Sequence, residues 1–310
     1  MDARVLRFLA IAFGISWSIA ALGMAFGVRS ATAPGYTVVA GAAMFGPALA
    51  ALLCAHRFDR TGWSALGVGL RPFRVKPFLA TVLIGVAIVP VILAGTALLA
   101  ARFPEAGFGQ VVFTSEGLVD QVKVLAAELG APPMEEEKLG PLRSFPPGLI
   151  LLGALLGAVV AACTVNLPFM LGEELGWRGY LWGRIAHWPG ARRIGFVGVV
   201  WGLWHAPLIA IGHNYPGHPM AGVGMMVLLC LVLALLFDHI RWRSGHVWTS
   251  ALLHGIINGS AGSYALFAAQ GHPLLGSIAG LAGILGLLLI GGVVVLVDGP
   301  YRRRLFARVP

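Results

Sequence analysis

Two adjacent carboxylates, Glu173 and Glu174, close one apolar run of this chain, and two histidines, His205 and His254, lie inside two others. Asn258 follows His254 by about one helical turn, on the same face of a helix. An ionisable group at the centre of a bilayer costs about 2.5–3.5 kcal/mol on insertion scales, so each is a functional candidate by default. Together they can do hydrolysis. A carboxylate and an imidazole can activate a water as general base. Imidazole and amide N–H groups can receive the charge that develops on a carbonyl oxygen. One Glu and two His could instead hold Zn²⁺ with an open position. Against that, the chain has no H-E-x-x-H helix, and Asn258 would be a poor zinc ligand. The other histidines, and Asp2, Asp59, Asp238 and Asp298, fall at the ends of apolar runs or in connectors.

The neighbouring residues fit a site of this kind. Glu174 and Arg178 are spaced for an i,i+4 ion pair. Glu173 then points about 100° away and is free to face a cavity. Pro168, just before the pair, removes a helix hydrogen bond and is expected to kink the helix there. Asn166 is expected to form a helix–helix hydrogen bond. No Ser or Cys has a context that would make it a nucleophile. Cys54, Cys163 and Cys230 lie in or at the ends of apolar runs and read as packing residues.

The elements that carry these groups must be membrane helices. The 310 residues are 58% hydrophobic and 11% charged, with a mean hydropathy of +0.83, where a soluble domain carries about 25% charged residues. That excludes a soluble globule and a disordered chain. Eight stretches are apolar enough to span: 6–27, 36–55, 77–101, 148–171, 194–211, 220–240, 247–269 and 273–297. The first is too long for the apolar core of a signal peptide and reads as a retained helix. With the N-terminus inside, 17 of the 22 Lys and Arg residues fall in cytoplasmic regions, Arg71 and Arg308 among them. The expectation is an all-α polytopic protein with both termini cytoplasmic, in the plasma membrane. Residues 1–310 form a single transmembrane domain. The net charge of +9 marks inside loops, so the partner is the lipid bilayer and not nucleic acid.

Counting about 1.5 Å per residue along the helices puts His205, His254, Asn258 and Glu173 together in the cytoplasmic half of the membrane. The 102–147 segment is a long extracytoplasmic connector holding seven of the 13 acidic residues. Leu118, Val122, Leu125 and Ala126 predict a short amphipathic helix within 116–129, and a solvated lid-like loop is the alternative. Gly153 with Gly157, and Gly255 with Gly259, are spaced for close helix packing.

The stretch Glu173-Glu174-Leu175-Gly176-Trp177-Arg178 resembles the EExxxR motif of the CPBP family, the CAAX-protease and bacteriocin-processing membrane proteins also called the Abi or type-2 CAAX prenyl protease family. Trp201-Gly202-Leu203-Trp204-His205 resembles its FxxxH motif, with Trp where the family usually has Phe. His254-Gly255-Ile256-Ile257-Asn258 resembles its HxxxN motif. The likeness covers about residues 145–260, the motif-bearing core, with a weaker likeness at Leu66-Gly67-Val68-Gly69-Leu70-Arg71. It implies an eight-helix glutamic intramembrane endopeptidase without metal or cofactor. By position, Glu173 would activate water and His205 would assist. His254 and Asn258 would form an oxyanion hole. Glu174, Arg178 and Trp201 would support the site. The substrate would be a peptide or a membrane protein, prenylated or not. A zinc-dependent protease, and a non-enzymatic scaffold or transporter, are the competing readings. No repeat between the halves favours a transporter.

Overall fold

The structure is a computed structural model that describes residues 2–69 and 74–307. Leu70 and Arg71 of the weaker likeness, and Arg308 of the inside set, lie outside the described residues. In chain order the helices are α1 (Ala3–Ala25), α2 (Tyr36–Ala43), α3 (Gly46–Leu53), α4 (Val75–Arg102), α5 (Ser115–Glu128), α6 (Glu136–Ser144), α7 (Pro147–Cys163), α8 (Leu167–Glu174), α9 (Trp182–Ile185), α10 (Gly190–Trp204), α11 (Ala206–Ala210), α12 (Pro219–Ser244), α13 (Val247–Phe267), α14 (Leu281–Val297) and α15 (Gly299–Phe306). π-Helical turns at Cys54–Phe58 and Leu175–Leu181 continue α3 and α8. Two short strands, β1 (Gln110–Val111) and β2 (Ala268–Ala269), pair antiparallel.

All eight predicted stretches are helical for most of their length. Among the described residues four helical segments are long and apolar enough to cross a membrane alone: α1, Tyr36–Phe58, α4 and α12. Counting the bent pairs α6–α7 and α14–α15 as one span each raises the number to six. The stretches left short of the criterion carry much of the polar set. The 148–171 stretch divides at Thr164–Asn166, and 194–211 divides at His205. In α13 the polar His254, Asn258 and serines dilute the apolar run. Pro168 does not kink a continuous helix: it sits in the first turn of α8, where a missing N–H costs nothing.

Large apolar side chains such as Leu83, Leu98, Leu156 and Leu289 are exposed on the outer helix faces, as expected for surfaces that meet lipid. Several of the predicted inside cations are held together by three aspartates. Asp59 takes the Tyr180 hydroxyl at 2.7 Å and pairs with Arg184, with Arg4 at 3.7 Å. Asp238 is gripped by Arg193 Nε and Nη2, both at 2.7 Å, and by the Trp182 indole and Tyr301 hydroxyl. Asp298 takes Arg243 and His239. The 102–147 connector contains two helices. The stripe predicted on α5 turns inward, with Leu118 buried and Val122, Leu125 and Ala126 half-buried. Gln121 donates to the Ala265 and Ala268 carbonyls at the end of α13. The second helix, α6, has no apolar periodicity to betray it. It is tied to α5 by Lys123–Glu136, Arg143–Glu116 and Arg143–Glu136 pairs. Of the two glycine pairs only one packs. An added Cβ on Gly255 or Gly259 would lie 2.8 or 3.2 Å from the backbone of Ala162 or Ala158, whereas Gly153 and Gly157 face open space.

Candidate active site

The site is assembled where α8 and its π-helical continuation pass the break between α2 and α3. Close approach is possible because the passing residues are glycines. A Cβ on Gly172 would lie 2.8 Å from the Met44 carbonyl, and one on Gly176 would lie 2.4 Å from Pro47 Cβ. This packing drives Glu173, Glu174 and Arg178 inward, and they are 2%, 0% and 2% exposed. The π turn at Leu175–Leu181 is a local irregularity of a kind often found at functional sites.

Glu174 accepts from Arg178 Nη1 at 2.9 Å, the pair that the spacing predicted. The same oxygen, Oε1, also meets His254 Nδ1 at 2.9 Å. No local spacing announces that second contact, because the two residues are 80 positions apart. The Arg178 guanidinium lies between two aromatic faces, 4.1 Å from the Trp201 ring centroid and 4.0 Å from that of Phe237. Its charge is thus met by one carboxylate and two π faces in place of water.

Trp201 is the hub of the arrangement. Its indole N–H donates to Glu173 Oε2 at 2.9 Å. Its ring packs edge-on against His254 at 5.5 Å and tilted against His205 at 5.9 Å. Its carbonyl lies 2.8 Å from His205 Nδ1. A carbonyl can only accept, so Nδ1 carries the hydrogen, and the neutral ring presents its lone pair at Nε2. The same counting applies to His254, whose Nδ1–H is engaged by the Glu174 carboxylate. Asn258 is exposed, and its Nδ2 makes only a weak contact, 3.6 Å from Met170 Sδ. Asn166 donates across to the Gly255 carbonyl at 3.3 Å, the helix–helix bond expected of it.

Glu173, His205, His254 and Asn258 line one cavity of about 340 Å³, together with Trp201. Most of its remaining wall is apolar, including Leu229, Leu233 and Ile257. Sequence reasoning missed His213, which lines the same cavity. Its ring is parallel to that of His205 at 6.5 Å, and its Nδ1 is 2.6 Å from the Tyr36 hydroxyl. Tyr36 is 177 positions away, so only the fold could reveal the pair. Cys230 is buried against the cavity, whereas Cys163 is exposed on the outer surface and is not a packing residue of the interior. Among the described residues no three His, Cys, Asp or Glu side chains converge as a metal-ion cluster.

Residues 146–260 match the family described as type II CAAX prenyl endopeptidase, Rce1-like. The similarity is confined to this segment, about a third of the chain. The matched span holds all three motifs and every residue of the Glu173–Trp201–His254 constellation. Several helices long and apolar enough to cross a bilayer mark an integral membrane protein, and the family match within it implies a peptide substrate in a lipid environment. No curated protein matches the chain.

Proposed function

We propose that the chain is a glutamic intramembrane endopeptidase that hydrolyses a peptide bond by direct attack of water, without metal. One observation carries the reading: a carboxylate, two imidazoles and a carboxamide from three helical segments line a single cavity inside an Rce1-like domain. Oε2 of Glu173 is tethered to Trp201, which leaves Oε1 to accept a proton. A water between Oε1 and His205 Nε2 loses a proton to Glu173 as its oxygen bonds to the scissile carbonyl carbon. The new oxyanion receives hydrogen bonds from Asn258 Nδ2 and His254 Nε2. As Nδ1–H of His254 is already on Glu174, Nε2 can donate only from an imidazolium, and the Glu174 carboxylate stabilises that cation. Collapse of the intermediate breaks the C–N bond, and the departing amine takes the proton held by Glu173. No acyl-enzyme forms.

The residue 145–260 core does the chemistry within a single domain. Both termini and the Asp59–Asp238–Asp298 end face the cytoplasm of a cell with this plasma membrane, and the 102–147 connector faces out. The gathering of inside-set arginines around these aspartates supports this orientation. The test compares wild type with Glu173→Gln expressed in the same membranes, by mass spectrometry of peptide termini. Termini made only by wild type are expected, and the variant remains folded and inserted. Equal cleavage by both proteins overturns the assignment.

A further inference from the structure

The region around the three aspartates holds a second polar site, on the far side of α12 from the chemistry. A groove of about 540 Å³ lies between the start of α4 and the end of α12, lined by Arg74, Lys76, Ala80, His239, Arg243 and Asp298. Its charges do not cancel. Asp298 has both oxygens engaged, by Arg243, by His239 Nε2 at 2.9 Å and by the Tyr301 amide at 2.9 Å. That matches the charge of Arg243. Arg74 makes one hydrogen bond to the Arg243 carbonyl at 3.3 Å, and among the described residues no carboxylate pairs with Arg74 or Lys76. Two cations are left over at the mouth of the groove.

Two further observations point to an anionic occupant. The α4 helix begins here with no acidic residue in its first turn and no side-chain cap, so the Val75 and Lys76 amides have no helical acceptor. His239 is 7% exposed, and its Nδ1 is buried with no hydrogen-bond partner. With Nε2–H on Asp298, that nitrogen carries a lone pair and can accept a hydroxyl hydrogen. Just beyond the cations, Val75 and Leu79 are 55% and 58% exposed, so an apolar surface continues from the polar groove.

We propose that this groove binds a phosphate-bearing headgroup, with Arg74 and Lys76 supplying the charge, the α4 amides donating to the phosphate, His239 Nδ1 accepting from a headgroup hydroxyl, and the Val75–Leu79 face receiving an acyl chain. The inference does not rest on the protease reading. Basic pockets at the ends of membrane helices take anionic headgroups, at about fivefold in affinity per cation. The experiment titrates the full-length protein in detergent with short-chain phosphatidylglycerol and with short-chain phosphatidylcholine, then repeats this with inorganic phosphate as competitor. Phosphatidylglycerol is expected to bind at least about tenfold tighter than the zwitterionic lipid. The double variant Arg74→Gln/Lys76→Gln is expected to weaken it about 25-fold. Arg57→Gln, an exposed cation outside the groove, is expected to leave binding unchanged. Displacement by millimolar phosphate would mean that the phosphate group alone is recognised, and resistance to it would mean the whole lipid; both support the site. Equal affinity for the two lipids, or a double variant indistinguishable from Arg57→Gln, overturns it.

Discussion

Replacing Glu174 by Gln tests how the buried cluster acts. The residue is fully buried, 2.9 Å from Arg178 Nη1 and 2.9 Å from His254 Nδ1. Gln keeps the shape and one acceptor oxygen but removes the negative charge that, in the proposed mechanism, faces the His254 ring as it donates to the oxyanion. A hydrogen bond to a charged group contributes about 1.5–3 kcal/mol, and each 1.36 kcal/mol of transition-state stabilisation is about tenfold in rate. The variant should therefore lose about 10- to 150-fold in kcat. KM should change little, because the charge that His254 meets develops only in the transition state. Glu174 is a positioning residue in this account, acting through His254, so the sharper assay is a double-mutant cycle. Removing one oxyanion donor, as in His254→Ala, costs about 10²–10³ in turnover. If Glu174 acts through that ring, the double variant is no slower than His254→Ala alone. Independent roles would multiply the two losses. Multiplied losses, with both proteins still cooperatively folded, would refute the reasoning. Thermal unfolding must accompany the kinetics, because a buried arginine deprived of its partner can destabilise by about 3–5 kcal/mol.

Two other substitutions probe the supports of Glu173. Trp201→Phe keeps an aromatic face under Arg178 but deletes the N–H that fixes Glu173 Oε2; kcat/KM should fall about tenfold or more, and an unchanged or faster enzyme would show that the tether is dispensable. Gly176→Ala places a Cβ 2.4 Å from Pro47 Cβ, an overlap of roughly 1 Å that should cost about 1–3 kcal/mol and displace the carboxylates. Its unfolding midpoint and turnover should both drop, while Gly153→Ala, which meets nothing within 4 Å, serves as the unaffected control.

The candidate residues were legible because a membrane makes polar groups conspicuous. Glu173, His205 and His254 stand out against 58% hydrophobic composition, and i,i+4 spacing announced both the Glu174–Arg178 pair and the shared face of His254 and Asn258. The helices were legible for the same reason, but their continuity was not. A run of apolar residues does not say whether the backbone breaks inside it, as it does at Thr164–Asn166 and at His205. Proline has the same local signature in the middle of a helix and at its first turn, so spacing alone does not tell a kink at Pro168 from the helix start that the fold makes there.

What the sequence determined by itself is everything that depends on composition and on neighbours a turn apart: the solvent, the helical class, the distribution of cations between connectors, and the identity of the groups able to do chemistry. What only the tertiary structure decided is which of those groups share atoms. Glu174 reaching His254, the Trp201 indole holding Glu173, His213 joining Tyr36, and Arg74 and Lys76 lying beside His239 with no carboxylate partner among the described residues all join residues far apart in the chain. Hydrogen bonds and ion pairs are decided over a few ångströms, and sequence periodicity fixes position only within one helix. The distances between helices come from packing, here from Gly172 and Gly176 lying against Met44 and Pro47 and from Gly255 and Gly259 lying against Ala162 and Ala158.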